Sequence, residues 1–245
     1  TYNTRELDAE TRRMISPTQR EWLASQLETS RAQWKLVLSQ TLFGHWAAMG
    51  LPRLPQEVHE FLGIREHGNP FYSSSWNGYP AERRRVIRDA FSRSTNNVVV
   101  SGDAHLSFAM DLAEDPYHPV TYDRTGRGSV GVELCTPSVN SEAFPETLGY
   151  PARTASVALE HASVAANPHH RWCEFDSAGY TLVHLDKERA RAEFWFTDRI
   201  PPAQSQPLGY RPSAKRMAAA FETRAGEDHL RQVLLDGPVE VVSPF

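Results

Sequence analysis

A run of three valines, Val98-Val99-Val100, leads through Ser101 into Gly102-Asp103-Ala104-His105. An aspartate offers hard anionic oxygen and a histidine offers an imidazole nitrogen, so the pair has the chemistry to hold a metal ion. An apolar strand ending in such a pair puts it where open α/β sheets place their sites, at a strand's carboxyl end. Gly102 permits close approach of backbone or ligand. On an extended segment, residues two apart point the same way, so Asp103 and His105 are expected to address one site. The same letters also suit a plain turn in which Asp103 caps the next segment.

Two further clusters have suitable residue types. Asn167-Pro168-His169-His170 starts as a turn, and a histidine just before a strand can reach into a pocket. Paired histidines are also common on surfaces. Trp76-Asn77-Gly78-Tyr79 carries an Asn-Gly turn signal between aromatic residues that would pack it down. The other histidines fall in loops (His45, His59, His67, His118) or on expected elements (His161, His184, His229) and are read as structural or solvent-facing. Other chemistries lack their signatures: there is no Gly-x-Ser-x-Gly, no Cys-x-x-Cys and no His-Glu-x-x-His. Thr125-Gly126-Arg127-Gly128-Ser129 is not followed by the Gly-Lys-Ser/Thr of a phosphate-cradling loop.

The elements that must position these residues are legible in part. Ser16-Pro17-Thr18-Gln19 is a capping box with a first-turn proline. It predicts a helix ending near Ser30, with Trp22, Leu23 and Leu27 on one face. Trp34–Gln40 reads as a buried strand. Residues 44–79 are irregular. Pro80 opens a second helix with Val86, Ile87, Ala90 and Phe91 inward and Glu82 and Arg83–Arg85 on the solvated side. Asn97–Ser101 and Val130–Thr136 are strands, and 141–166 is helical in its second half. A meander of Arg171–Asp176, Gly179–Leu185 and Ala190–Thr197 follows. Residues 199–215 have the composition of a linker, and a terminal segment, 216–245, ends in Val239–Val242. Helix–strand alternation followed by a meander predicts a mixed sheet with helices packed on it.

The 245 residues suit one large domain or two small ones. Their 40% hydrophobic content excludes a disordered chain. A net charge of −4, from 26 basic and 30 acidic residues, gives no footing for non-specific nucleic-acid binding. Two cysteines, Cys135 and Cys173, are too few for a disulfide scaffold, and their pairing is not decided by sequence. No apolar run approaches the ~20 residues that span a bilayer. The chain starts at Thr1 with neither an initiator methionine nor a signal-peptide pattern, so it is expected to be processed or cut from something longer.

Taken in order, these segments resemble the PhoD-like alkaline phosphatases, also described as phosphodiesterases with phospholipase D-type activity. The matching pieces are 16–44, WNGYPAERRRVI at 76–87, NNVVVSGDAHLSFAMDL at 96–112, VGVELCTPSV at 130–139 and 167–196. The resemblance implies an α/β fold, part of a four-layer αββα metallophosphoesterase sandwich with a mixed sheet, flanking helices and a C-terminal β-meander. It implies an iron and calcium cluster that hydrolyses phosphate monoesters or diesters, and a periplasmic or extracellular location. Asp103 and His105 fall on metal-site positions, and His169 on a position expected to line the pocket, so Asp103, His105 and His169 are the expected catalytic residues. Asn77 falls where the family usually has aspartate. It can still offer calcium a carbonyl oxygen but lacks the negative charge. The family's remaining metal-site residues lie before the point matching Thr1, which makes 1–245 the C-terminal portion of the catalytic domain. Two rival expectations stand beside this one: a catalytically silent, partner-binding remnant, and a metal-free hydrolase using Asp103 and His105 as an acid–base pair.

Overall fold

The computed structural model describes residues 7, 9–47, 73–143, 151, 153–198, 215–234 and 240–241. Helix α1 runs Pro17–Thr29, with the Ser16 hydroxyl accepting the Gln19 N–H at 3.1 Å. The expected cap therefore forms. The expected face does not: Leu27 is buried, but Trp22 is 59% exposed. Strand β1, Lys35–Thr41, also departs from expectation. Among the described residues it is an edge strand with Leu36 and Leu38 turned outward, Leu38 to 80% exposure. An apolar run marks a strand without saying how many neighbours it has.

Helix α2, Pro80–Asp89, buries Val86 and Ile87 as expected but also buries Glu82 and Arg83. Glu82 accepts bonds from Arg20 of α1 at 3.0 and 3.2 Å and from Arg85 at 3.0 Å. The charged positions read as solvated thus form the α1–α2 contact. Strand β2, Asn97–Gly102, follows, then β3, Ser107–Asp111, and β4, Val132–Cys135. Helix α3, Ala155–Ala166, precedes β5, His170–Glu174.

These strands form one sheet in the order β1-β2-β4-β3-β5, parallel across β1, β2 and β4 and antiparallel through β3. The expected meander is split. β5 pairs with β3, whereas β6, Ala178–Leu185, and β7, Arg189–Thr197, belong to a second, antiparallel sheet with β8, Lys215–Arg224, β9, Arg231–Gln232, and β10, Glu240–Val241. The switch occurs at Ser177, whose N–H and hydroxyl bond the Glu174 carboxylate and turn the chain. The possible linker lies outside the described residues except for Lys215, which opens β8; so do Val239 and Val242, while Glu240–Val241 between them form β10.

The two sheets face each other. Val98, Ala109, Val132 and Leu134 of the first meet Phe194, Phe196 and Phe221 of the second. Trp172 of β5 contributes an indole at 4.9 Å from the Phe194 ring. On the first sheet's other face, Val99 packs beneath α1 and α2, and Phe108 and Met110 sit beneath α3. β2 is thus apolar on both faces, which explains its continuous valine run. The described residues make three of the four expected layers: helices, sheet, sheet. Among them no helix is long and apolar enough to cross a membrane. Cys135 and Cys173 both pair with Phe108, one on each side, so two strand spacings of ~4.8 Å separate them. That exceeds the reach of a disulfide, and both are free thiols.

Asp111 ties the layers together. Its buried carboxylate accepts from Tyr122 at 2.9 Å, from Arg171, and from the Leu230 N–H at 2.8 Å. Asp111→Ala is expected to cost about 3–5 kcal/mol, because it strands Arg171 without its counter-charge. The urea unfolding midpoint measures this; an unchanged midpoint would show that the ion pair contributes nothing.

Candidate functional site at the end of the first sheet

β2 ends at Gly102, and the chain reverses at once. The Ala104 N–H bonds the Gly102 carbonyl at 2.7 Å, and Asp103 and His105 both adopt left-handed backbone, φ 65° and 56°. The segment is a tight turn rather than the extended one expected, and it carries strain of a kind that clusters at functional sites. The side chains still share one end of the sheet. Asp103 is exposed and lines a cleft of about 480 Å³ between α1 and β1, with Trp22, Leu38, Phe43 and Trp76 in its walls. His105 is half-buried, and its Nδ1–H donates to the Glu142 carbonyl at 2.8 Å. A carbonyl can only accept, so the neutral ring keeps its lone pair on Nε2, the arrangement of a metal-ligating histidine.

Behind this turn lies a polar layer on the sheet's outer face, built around residues 43–47. Glu133 of β4 accepts from the Phe43 N–H at 2.8 Å, the Gly44 N–H at 2.5 Å and the Ser101 hydroxyl at 2.5 Å. A Cβ at Gly44 would lie 2.3 Å from Met110 Sδ and 2.7 Å from Glu133 Oε2, so any larger residue displaces those buried side chains. The His45 carbonyl accepts from His169 Nε2 at 2.7 Å and His170 Nε2 at 2.9 Å. Asn77 grips Trp46, accepting its N–H at 3.0 Å and donating to its carbonyl at 2.9 Å. Asn167 grips Ala47 in the same way, at 2.9 and 3.2 Å. The Tyr117 hydroxyl bridges His45 Nδ1 and Asn167 Oδ1.

The four residues singled out from sequence thus fall into two groups. Asp103 and His105 share the turn at the end of β2. Asn77 and His169 meet around residues 45–46. The His169 carbonyl takes the Asp111 N–H, four residues along β3 from Ser107 and roughly 13 Å away at ~3.3 Å per residue. Sequence reasoning missed Glu133 and Tyr117, read His45 as structural or solvent-facing, and from the 167–170 cluster carried only His169 forward as a site residue. The available signal was Glu133 itself, an acid inside the apolar run Val130–Thr136. A third carboxylate group, Glu160, Glu174 and Asp176, has oxygens within 4.8 Å of one another. Arg153 already stands among them, at 2.7, 3.0 and 3.4 Å.

Burial dominates the electrostatics of this layer. It holds His45 and His169 well below the usual histidine range and His170 at about 4, Arg124 also acting against a charge on His170. It raises Glu133, against the pull of the Phe43, Ser101 and Gly44 bonds. The sign for stability follows. The unfolded chain protonates these histidines near pH 6.5 and the folded chain does not, so their contribution to stability is complete above that pH, while the raised Glu133 acts in the opposite sense above its unfolded value of 4.5. The histidine contribution falls as pH drops from 6.5 towards 4, by about 1.4 kcal/mol per pH unit for His170 alone. Urea midpoints between pH 7 and 4.5 should show this slope, and His170→Gln should flatten it by one proton's worth. An equal slope in the variant would put the titration elsewhere.

This geometry can be set beside known proteins. The profile of the PhoD-like phosphatase family matches residues 1–194. The chain is 32% identical over 216 residues to alkaline phosphatase D of Bacillus subtilis (strain 168), an alignment covering 87% of this chain and 29% of that protein. A solved structure described as the structure of PhoD superposes with a TM-score of 0.64 at 21% identity, covering 92% of this chain and 36% of that one. That likeness confirms the α/β sandwich. The chain therefore spans about a third of the length of these relatives, and it belongs to the PhoD-like phosphatase family.

Proposed function

We propose that the chain is the C-terminal part of a metal-dependent hydrolase of phosphate monoesters or diesters, with Asp103 and His105 as its metal-site residues. The carrying observation is the His105 ring. Its Nδ1–H is fixed on the Glu142 carbonyl, which leaves the lone pair on Nε2, in the same turn as the exposed Asp103. An oxygen and a nitrogen donor at one strand end fit a hard or borderline cation, in keeping with the iron and calcium that the resemblance implies. Bound there, such a cation would screen phosphate charge and lower the pKa of a bound water.

The other residues support rather than ligate in this reading. Glu133 holds Ser101, two residues before Asp103, and the backbone after β1 in one rigid piece. Both polar ends of the Asn77 amide are spent on Trp46, so Asn77 fits a positioning role better than the ligand role expected from sequence. His169 Nε2 is likewise spent on His45. Two donors fall short of the ~6–8 that calcium takes. The rest of the shell, and full activity, is assigned to residues beyond this chain, so 1–245 alone is expected to bind metal weakly and turn over little. An exported location accompanies this reading by resemblance.

The test is made in the complete protein. Asp103→Ala is expected to lower hydrolysis of a generic monoester and diester by at least ~100-fold and to lower bound metal by elemental analysis. His105→Ala should do the same, whereas Asn77→Ala should lower stability first. Unchanged turnover and metal content in Asp103→Ala would overturn the assignment.

A further inference from the structure

The cleft between α1 and β1 reaches the turn at the end of β2, because Asp103 lines it. Its volume of about 480 Å³ lies within the ~300–1,000 Å³ of small-molecule sites. Its floor belongs to the apolar cluster under α1 and α2, from which Phe43, Trp76 and Phe91 reach it. The Phe43 ring stands edge-on to Trp76 at 5.0 Å and to Phe91 at 5.3 Å. Three buried, interlocked rings make a fixed surface. The walls, by contrast, are open: Trp22 of α1 is 59% exposed and Leu38 of β1 is 80% exposed. Apolar walls of this kind gain free energy when a ligand takes them out of water.

Position and charge together say what the cleft takes. A phosphate ester held at the Asp103–His105 turn must send its organic group away from the metal, and the cleft is the concave surface that starts at that turn. A helix or strand from elsewhere in the protein laid along it would cover Asp103, which a metal site needs open. Asp103 is also the one charged side chain among the described lining residues. The polar remainder, Gln19, Ser39, Gln40, Thr41 and Ser74, is neutral. The arginines of the neighbouring α1–α2 contact, Arg13, Arg20 and Arg85, are turned to Glu82 and do not line the cleft. A second anionic group on the ester would therefore find no cation there. A neutral ring would find edge-on and offset partners in Trp22, Phe43 and Trp76, which an aliphatic group of the same size could use less well.

We propose that this cleft is the subsite for the organic group of the ester and that it selects a neutral aromatic alcohol, with Trp22 and Leu38 as specificity-determining walls. The inference rests on the hydrolase reading for the phosphate, and on the cleft alone for the choice of organic group. The buried rings of the floor position the aromatic group. Trp22 and Leu38 lose their exposure to water when it binds.

The test uses the complete protein and esters of two alcohols of nearly equal acidity, methanol and benzyl alcohol, each as the phosphate monoester and as its methyl diester. Matching the leaving groups makes the difference one of binding. For whichever ester type is hydrolysed, kcat/KM for the benzyl compound is expected to exceed that for the methyl compound by roughly 10-fold or more, chiefly through KM. A para-carboxybenzyl ester should lose most of that advantage. Trp22→Ala and Leu38→Asn, both at exposed positions, should each lower the benzyl-to-methyl ratio by about 3-fold or more. A readout independent of turnover is the fluorine NMR spectrum of the complete protein labelled with fluorotryptophan, with Trp22 assigned through Trp22→Phe. Benzyl alcohol should shift the Trp22 resonance, whereas methanol and para-(hydroxymethyl)benzoate at the same concentration should not. A benzyl-to-methyl ratio near one, an equal preference for the para-carboxybenzyl ester, or a ratio unmoved in both variants would overturn the proposal. So would a Trp22 resonance indifferent to benzyl alcohol, which is also the result if another part of the protein fills the cleft. A shifted Trp22 without turnover of any ester would uphold the cleft's choice of ligand and overturn the hydrolase reading alone.

Discussion

The structure depends on the capture of residues 43–47 by buried side chains. This stretch leaves the end of β1 and crosses the sheet's outer face, where among the described residues 43–46 lie outside every strand ladder. A backbone that is buried must still satisfy its N–H and C=O groups. Here Glu133, His169, His170, Asn77 and Asn167 do so in turn, along five consecutive residues. The two asparagines each offer a donor and an acceptor to one residue, as a neighbouring strand would. The arrangement joins β4, β5 and the Trp76–Gly78 turn around one segment, although these pieces are far apart in sequence.

That capture also gives the strand end its rigidity. The Glu133 carboxylate binds Ser101 on one side and the Phe43 and Gly44 amides on the other, so the Asp103–His105 turn grows from a fixed base. Side chains can be held accurately only when their supports are themselves locked. The left-handed backbone at Asp103 and His105 costs energy that a loosely held strand end would release by unwinding. The cost of burying Glu133 is offset by three hydrogen bonds and by Arg83 nearby. The histidines of the layer stay neutral for the same reason, with burial outweighing every other influence on them.

Much of the architecture was legible because local rules decide it. Ser16 with Pro17 and Gln19 starts a helix wherever the chain goes. Three valines bounded by Asn97 and Gly102 make a strand buried on both faces. The Gly-Asp-x-His stretch after it identified the candidate metal site, and the ordered motifs together identified the family. Partner choice was not legible. β5 read as the first strand of a meander, yet it joins the first sheet, because pairing depends on which edge lies nearest after Ser177 turns the chain. β1 read as a buried strand, yet among the described residues it is an edge with Leu36 and Leu38 exposed, because an apolar run is the same whether one neighbour is present or two.

The sequence by itself determined the elements, the valine strand and the residue types at its end, since each rests on contacts within a few positions. Only the tertiary structure decided what the polar residues do. Asn77 and His169, which looked like site residues, spend their hydrogen bonds on Trp46 and His45. Glu82 and Arg83, which looked like a solvated helix face, are both buried, Glu82 among arginines. The physical reason is that a polar side chain has no fixed address in the sequence. Its role is set by which donors and acceptors the fold brings within about 3 Å of it, and for Asn77, Asn167 and His169 those come from residues 31 to 124 positions away.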